Sequence, residues 1–373
     1  MADISPYRKT LQQLSTLERR RSLKPTAGFD FSSNDFLGLK NHPAVRMAVE
    51  HALSDGMDLG SGGSRLLRGN HKAFEALEQD AASFFGAGAA LYMASGFMAN
   101  FALFSTLPQR GDVILMDELI HASAKEGIRA SFAKSSKIAH NDANAFEAEI
   151  KRWREKGAKN IWLAVESVYS MDGDKAPIAE LMAIADQYGC FLVVDEAHAT
   201  GIQGPNGRGL AEPFEGRENL ISMHTCGKAL GVSGALITMD ATLCDFMVNA
   251  SRAFIYTTAP SPVMAVAVRE ALALVDREPE RRKELLALAA KAKSRLVDYL
   301  PPSKDGSQIL PVILGTDEKA VKAADYMQAA GFDVRAVRPP TVPEGSARLR
   351  VSITLNIDEQ ILDAFCGKLA DAL

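Results

Sequence analysis

Several polar residues stand just past short apolar runs, at spacings that could place them in one reactive site. Asp195 and His198 follow the run FLVV, and His121 comes shortly after VILM. Lys228 lies in TCGKALG after LISM, and Ser95-Gly96-Phe97 follows LYMA. A lysine can react with a carbonyl group, a carboxylate can hold a proton on a neighbouring base, and backbone N–H groups at a glycine turn can bind phosphate. These residues form a site only if one scaffold brings them together.

The apolar runs predict the strands of a mainly parallel sheet. They do not alternate with polar residues, and amphipathic segments such as 144–156 and 178–188 separate several of them. Strands that helices cover on both faces have this pattern. The predicted strands are Ala90–Met93, Val113–Met116, Ile161–Val165, Phe191–Val194, Leu220–Met223 and Ala235–Thr238. In such a sheet ligands bind at the carboxyl ends of the strands, which is where the polar residues stand.

The chain changes character towards its C-terminus. A long helix is predicted from about Pro260 to Leu300, and beyond it LPVILG and ARLRVSIT flank a helical segment at 318–330. Strands and helices arranged in this way are typical of a small α+β domain. We therefore expect an N-terminal helical segment (1–40), a large α/β domain (41–265) and a C-terminal α+β domain (266–373).

Composition excludes several classes of protein. The net charge of −4 over 373 residues does not provide the basic surface of a nucleic-acid or anionic-membrane binder. No secretory signal and no apolar run long enough to span a bilayer is found in the sequence. The four cysteines are widely spaced and predict neither a disulfide framework nor a zinc site. These features favour a cytoplasmic enzyme that needs no metal.

The polar residues match the needs of one cofactor, pyridoxal 5′-phosphate (PLP). Lys228 could carry PLP as a Schiff base, and Asp195 could keep its pyridine nitrogen protonated so that the ring accepts electrons. His198 stands three residues beyond Asp195 and could contact the ring oxygen. The turn at 95–97, before a helical segment, and the hydroxyl of Thr225 could bind the phosphate. No single one of these residues is diagnostic.

Two other motifs compete with this interpretation. Residues 195–198 spell DEAH, as in helicases, but that function requires an upstream phosphate loop of the form GxxxxGK[ST]. The only Gly-Lys pairs, at 227–228 and 367–368, lie downstream and are followed by alanine and leucine. The segment GSGGS at 60–64 lacks both a preceding strand and dinucleotide-loop spacing, so it predicts a tight turn. A nucleotide-driven protein is therefore disfavoured.

Eight segments occur in the order found in the α-oxoamine synthases: FSSNDFLGL, GSGGSRLLRGNH, SGFMAN, ESVYSMDGD, VVDEAHATG, HTCGKALGVSGA, FIYTTAPSP and ARLRVSIT. The chain thus resembles these fold-type I PLP-dependent transferases over residues 31–354. The family joins an amino acid to an acyl thioester with loss of CO2 or a proton. The segment 336–350 is most similar to the member that condenses L-alanine with pimeloyl-CoA, or pimeloyl on acyl carrier protein, in biotin biosynthesis. Another member such as a glycine acetyltransferase, or a PLP aminotransferase or lyase, remains an alternative.

The resemblance implies roles for residues at matching positions. Lys228 would be the Schiff-base lysine, Asp195 the partner of the pyridinium, and His121 would stack over the ring. The other residues implied on the cofactor side are Gly96, Phe97, Ser170, His198, Thr225, Thr257 and Thr258, the last two from the second subunit of a homodimer. Those implied on the substrate side are Arg19 or another arginine of 19–21, Asn34, Thr341 and Arg350. Arg350 would pair with the carboxylate of the amino acid.

Overall fold

A computed structural model describes residues 2–302 and 306–373. Its contacts divide the chain into two compact units. Unit 1 contains Met1–Phe36, Met171–Asp174 and Glu284–Leu373, whereas unit 2 contains Leu37–Ser170 and Lys175–Lys283. The domain boundaries expected after residues 40 and 265 stay a prediction. Compactness groups the N-terminal and C-terminal segments together, which no local sequence pattern could reveal.

The secondary structure follows the chain in this order. The strands are β1 (Phe29–Asp30), β2 (Ala89–Met93), β3 (Val113–Asp117), β4 (Lys134–Ile138), β5 (Ile161–Glu166), β6 (Phe191–Asp195), β7 (Leu220–Thr225), β8 (Ala235–Met239), β9 (Ile309–Gly315), β10 (Phe332–Asp333), β11 (Ala336–Val337) and β12 (Ala347–Ser352). The α-helices are α1 (Ser5–Thr16), α2 (Pro43–Ser54), α3 (Lys72–Phe85), α4 (Gly96–Thr106), α5 (Ala122–Arg129), α6 (Ala143–Glu155), α7 (Ile178–Tyr188), α8 (Ala241–Ala250), α9 (Arg252–Ile255), α10 (Pro262–Arg277), α11 (Pro279–Arg295), α12 (Asp317–Ala329) and α13 (Glu359–Ala372).

Unit 2 is built on a seven-stranded sheet in the order β2-β8-β7-β6-β5-β3-β4. Neighbours from β7 to β4 pair in parallel, whereas β8 is antiparallel to β2 and β7. Alternate side chains of the inner strands enter two separate cores, with Trp162 and Val193 in one and Leu163 and Val194 in the other. Because both faces are buried, the strands read as unbroken apolar runs in the sequence.

All six strands predicted from the sequence are present, but the single long helix is wrong. In its place α10 ends at Arg277 and α11 begins at Pro279. The residue between them, Glu278, has a non-helical ψ of 59°. Proline has no N–H for the helical hydrogen bond, and its ring collides with the preceding turn, so one helix ends and another begins there. Among the residues that the structure describes, no helix is long and apolar enough to cross a membrane.

Unit 1 joins the two ends of the chain. Its three-stranded sheet has the order β11-β12-β9 and is antiparallel, while β1 pairs in parallel with β10. The ring of Phe31 stacks on that of Phe365 from α13, with centroids 3.8 Å apart. The buried guanidinium of Arg348 on β12 forms an ion pair with Asp172. This pair fixes the short segment 171–174 to the antiparallel sheet.

Candidate active site

Two acidic residues end neighbouring strands at the carboxyl edge of the large sheet. Glu166 ends β5 and Asp195 ends β6, and the two are paired in register. Residues paired in register on parallel strands point to the same face, so both carboxyl groups lie on one side of the sheet. Their side chains are buried, with 2% and 6% of the residue surface exposed. Repulsion between adjacent buried carboxylates disfavours ionisation of both.

Asp195 is the member of the pair that hydrogen-bond donors surround. Its Oδ2 accepts from Nδ2 of Asn100 at 2.7 Å, and its Oδ1 accepts from the backbone N–H of Ala197 at 2.9 Å. Burial, followed by the charge of Asp195, raises the pKa of Glu166 to about 8. The Oε1 atom of Glu166 has no hydrogen-bond partner among the described residues. Burial beside Asp195 thus favours the protonated form of Glu166 near neutral pH.

Lys228 reaches the same edge from the loop between β7 and β8. Its Nζ lies 2.8 Å from Nε2 of His198, which follows β6. His198 is buried and Lys228 is partly buried. The loop is tight, because Gly231 has a φ of +67° and a Cβ there would lie 2.6 Å from the carbonyl carbon of Leu39. The loop thus holds an amine within hydrogen-bonding distance of an imidazole.

The first turn of α4 and the end of β7 approach each other closely. Ser95 caps α4 by accepting the backbone N–H of Met98 at 3.3 Å. A Cβ added to Gly96 would lie 3.4 Å from Oγ1 of Thr225, at van der Waals distance. Phe97 keeps 48% of its surface exposed. The N–H groups of this helix end, together with the Thr225 hydroxyl, offer the donors that a phosphate group requires.

His121 caps α5, the helix that follows β3. Its Nδ1 lies 2.7 Å from Oγ of Ser123 and accepts the Ser123 backbone N–H at 3.2 Å. Partial removal of the ring from water lowers the pKa of His121, and the charges of Lys228 and Lys125 act in the same direction. Asp195 opposes them. His121 therefore lies within electrostatic range of both Asp195 and Lys228.

Three predicted cofactor residues, Ser170, Thr257 and Thr258, have few contacts that bear on their predicted role. The backbone N–H of Ser170 donates to Glu166, which ties the loop after β5 to the end of that strand. Thr257 lines a small cavity with Met98, and Thr258 is exposed. Among the described residues, no hydrogen bond joins Thr257 or Thr258 to the predicted catalytic side chains. Their assignment to a second subunit therefore stays a prediction.

On the substrate side, Arg350 is held rigidly within unit 1. It lies on β12 and is buried, with 8% of its surface exposed. Its Nη1 donates to Oγ of Ser352 at 2.8 Å, and its Nη2 donates to Oδ1 of Asn34 at 3.0 Å. Asn34, which the resemblance placed on the substrate side, is thus a partner of this guanidinium. The contacts to Ser352 and Asn34 fix the orientation of the planar guanidinium.

The arginines at 19–21 have different partners. Arg19 donates from Nε to Asp317 and from Nη2 to Glu344, each at 2.6 Å. Arg21 instead donates from Nη2 to Oγ1 of Thr341 at 3.1 Å. Arg19 remains a prediction as a substrate residue, but two carboxylates already satisfy it. Arg21 is the arginine that contacts the other residue predicted for the acyl substrate.

Comparison with known proteins matches residues 26–369 to the family described as aminotransferase class I and II. The chain belongs to this family. Over 375 residues it is 38% identical to the 8-amino-7-oxononanoate synthase of Chromobacterium violaceum, covering 98% of this chain and 97% of that protein.

Two solved structures have the same fold as this chain. A lysine-to-alanine variant of a serine palmitoyltransferase from S. paucimobilis, solved with a bound PLP–myriocin aldimine, superposes with a TM-score of 0.90 at 24% identity, covering 100% of this chain and 98% of that one. An 8-amino-7-oxononanoate synthase from Francisella tularensis superposes with a TM-score of 0.78 at 27% identity, covering 92% and 97%. The predicted fold class and the predicted resemblance are confirmed.

The sequence predicted no role for three buried polar residues: Asn100, Ser123 and Glu166. Asn100 is the one amide in the otherwise apolar stretch MANFALF of α4. A polar residue on an otherwise apolar helix face predicts a buried hydrogen-bond partner, because burying it without one would cost free energy. Glu166 ends an apolar strand, as Asp195 does, but only the register of β5 and β6 shows that the two are neighbours.

Proposed function

We propose that the chain is a PLP-dependent acyltransferase that condenses L-alanine with a pimeloyl thioester to form 8-amino-7-oxononanoate, a step of biotin biosynthesis. A bond forms between the α-carbon of alanine and the thioester carbonyl carbon, while the C–S bond breaks and the alanine carboxylate leaves as CO2. The observation that carries the proposal is the Lys228–His198 contact of 2.8 Å beside a buried, donor-bound Asp195. Near-full-length relatives named 8-amino-7-oxononanoate synthase support the choice of substrates.

The residues at the sheet edge fit PLP. Glycine at position 96 places no side chain beside the Thr225 hydroxyl, where a Cβ would be in van der Waals contact. Asp195 would hold the pyridine nitrogen protonated, and His198 and Ser170 would contact the ring oxygen. When bound, PLP supplies an electron sink for charge that develops at the α-carbon of the amino acid. The protein supplies the orientation and the proton transfers.

Lys228 would have two tasks. It would attach the cofactor at rest, and once the amino acid has replaced it there, its freed amine would take the α-proton and later return a proton to the product. The Lys228 amine has the imidazole of His198 within hydrogen-bonding distance. His121 would stabilise the thioester oxygen as negative charge develops there.

Arg350 and Arg21 would bind the two carboxylates of the substrates. The fixed fork of Arg350 suits bidentate pairing with the alanine carboxylate. In unit 1, Arg19, Arg21, Arg338 and Thr341 line a cavity of about 190 Å³, but Arg19 is already paired with Asp317 and Glu344. Among the described residues neither Arg21 nor Arg338 forms an ion pair with a carboxylate, so this cavity is suited to the free carboxylate at the far end of a pimeloyl chain. We assign that role to Arg21 in preference to Arg19.

We further propose that the protein acts in the cytoplasm as a homodimer. Unit 2 exposes large apolar side chains at Leu59, Leu67 and Tyr256, with 75%, 83% and 77% of their surface accessible. The backbone N–H of Ala259 donates to the carbonyl of Gly63 at 2.9 Å, which places these loops side by side. Large apolar side chains that are exposed on neighbouring loops are typical of a subunit interface.

The proposal is tested by cofactor labelling and by a thioester panel. Borohydride reduction followed by peptide mapping should place a pyridoxyl group on Lys228. Release of free thiol should then be measured with alanine, glycine or serine against acetyl, succinyl, palmitoyl and pimeloyl thioesters, on both CoA and acyl carrier protein. We expect the alanine–pimeloyl pair to have the highest kcat/KM. Label on another lysine, or amino-group transfer to a keto acid without thiol release, would overturn the assignment.

A further inference from the structure

A buried chain of hydrogen bonds begins at Asp195. Asn100 Nδ2 donates one hydrogen to Oδ2 of Asp195 at 2.7 Å and the other to Oγ of Ser123 at 2.9 Å. Asn100 and Ser123 each have 1% of their surface exposed. With both amide hydrogens committed, Asn100 can act on Ser123 only as a donor. The Ser123 oxygen is therefore an acceptor in this contact.

The chain continues to His121. The Ser123 oxygen lies 2.7 Å from Nδ1 of His121, and the Ser123 backbone N–H donates to the same nitrogen at 3.2 Å. A backbone N–H cannot accept a hydrogen bond. Because the Ser123 oxygen already accepts from Asn100, its own proton is available for Nδ1. Two donors that converge on Nδ1 require that this nitrogen carry no proton.

We propose that Asn100 and Ser123 are positioning residues that fix neutral His121 with its proton on Nε2. The imidazole then presents an N–H donor on the side away from the α5 cap, and its orientation is linked through two buried side chains to Asp195. If the proposed function holds, this N–H is the group that would donate to the thioester oxygen as charge develops, which a ring protonated only on Nδ1 could not do. No proton is transferred along the chain.

The charged groups around His121 are compatible with a neutral ring. Desolvation and the positive charges of Lys228 and Lys125 favour the neutral imidazole, while Asp195 favours the cation. Desolvation is the largest of these effects and lowers the pKa of His121. The ring is therefore neutral at pH 7.5, so it carries a single proton, either on Nδ1 or on Nε2.

The test reads the tautomer directly by NMR of ¹⁵N-histidine-labelled holoenzyme at pH 7.5. Resonances absent from a His121→Gln sample identify the ring. In the wild type we expect a protonated Nε2 and an unprotonated Nδ1. Ser123→Ala removes the hydroxyl donor but leaves the backbone N–H, so a mixture of tautomers is expected. Ser105→Ala is the matched control, because its hydroxyl donates only to backbone carbonyls within α4 and should leave the His121 signals unchanged.

Kinetics provide the second measurement. Ser123→Ala should lower kcat about tenfold, equivalent to one lost hydrogen bond in the transition state, and leave both KM values within about twofold. Asn100→Ala should also weaken PLP binding, because it removes a donor from Asp195. A wild-type ring protonated on Nδ1, or a tautomer and kcat that Ser123→Ala leaves unchanged, would overturn the proposal. The NMR result needs no substrate, so it stands apart from any failure of the proposed reaction.

Discussion

Nζ of Lys228 lies 2.8 Å from Nε2 of His198, so one of the two groups donates a hydrogen bond to the other. Lys228→Arg keeps a positive charge here but replaces the nucleophilic amine with a guanidinium that stays protonated. We expect borohydride labelling to disappear and kcat to fall by at least about a thousandfold, because both covalent attachment and the general base are lost. Retained labelling at position 228, or turnover within about tenfold of wild type, would contradict this.

Glu166 should make stability depend on pH. Its pKa is raised to about 8 by burial and by Asp195, whereas a glutamic acid in an unfolded chain titrates near ~4.3. Between these values the folded protein holds a proton that the unfolded chain has released, so stability falls as pH rises. Glu166→Gln removes this loss. The melting temperature of Glu166→Gln minus that of the wild type should therefore be larger at pH 8 than at pH 5, by about 2 °C or more.

A matched control separates stability from the site. Glu215 lies elsewhere in unit 2, and burial raises its pKa to about 8 as well. Glu215→Gln should show the same trend of melting temperature with pH but leave the visible spectrum of the cofactor unchanged. If the difference in melting temperature between Glu166→Gln and the wild type is the same at pH 5 and pH 8, Glu166 is ionised in the folded protein.

Arg350→Lys should raise the KM for L-alanine by about tenfold or more, because a lysine cannot reproduce bidentate pairing and loses the contacts to Asn34 and Ser352. The KM for the thioester should change little. Arg335→Lys is the control: Arg335 also lies in unit 1 and pairs with Asp333, but no substrate role is proposed for it. Steady-state kinetics with each substrate varied in turn would test this, and a uniform rise in both KM values would argue against an anchor for the amino acid.

Three neighbouring arginines permit a direct comparison on the acyl side. Arg21→Ala should raise the KM for pimeloyl thioester about tenfold, the cost of one charged hydrogen bond, with little effect on heptanoyl thioester, which lacks the far carboxylate. Arg19→Ala should affect the two thioesters equally, since Arg19 is already paired with Asp317 and Glu344. Arg20→Ala is the control on an exposed side chain. If Arg19→Ala removes the preference for the pimeloyl over the heptanoyl thioester and Arg21→Ala keeps it, the assignment is reversed.

The apolar surface of unit 2 predicts self-association. Leu67→Glu places a charge at an exposed apolar position and should shift sedimentation from dimer towards monomer at micromolar concentration. Phe132→Glu alters a side chain that is similarly exposed, at 75%, and belongs to unit 2 but lies in a different loop, so it should leave the dimer intact. If both variants sediment as the wild type does, the interface lies elsewhere.

The sequence predicted the inner strands well, because a strand buried on both faces must be apolar along its whole length. It missed β4, whose sequence KSSKI is polar and mostly exposed at the edge of the sheet. The residues of the candidate site likewise divide into those that the sequence predicted and those that it missed. Lys228, Asp195 and His121 could be found because each follows such a strand, whereas Asn100 and Ser123 matter only through contacts between α4 and α5. Those contacts depend on helix packing, which a single sequence does not record.

The discontinuity of unit 1 has a consequence for the order in which the protein folds during synthesis. β1 emerges from the ribosome early, but β10, with which it pairs from Phe29↔Phe332 onwards, follows about 300 residues later. At the usual rate of translation this is a delay on the order of tens of seconds. During that time unit 2 can be completed, while Phe31, whose stacking partner Phe365 belongs to the last helix, remains without its native contact. The segment around β1 is thus exposed to chaperones and proteases for longer than the strands of unit 2.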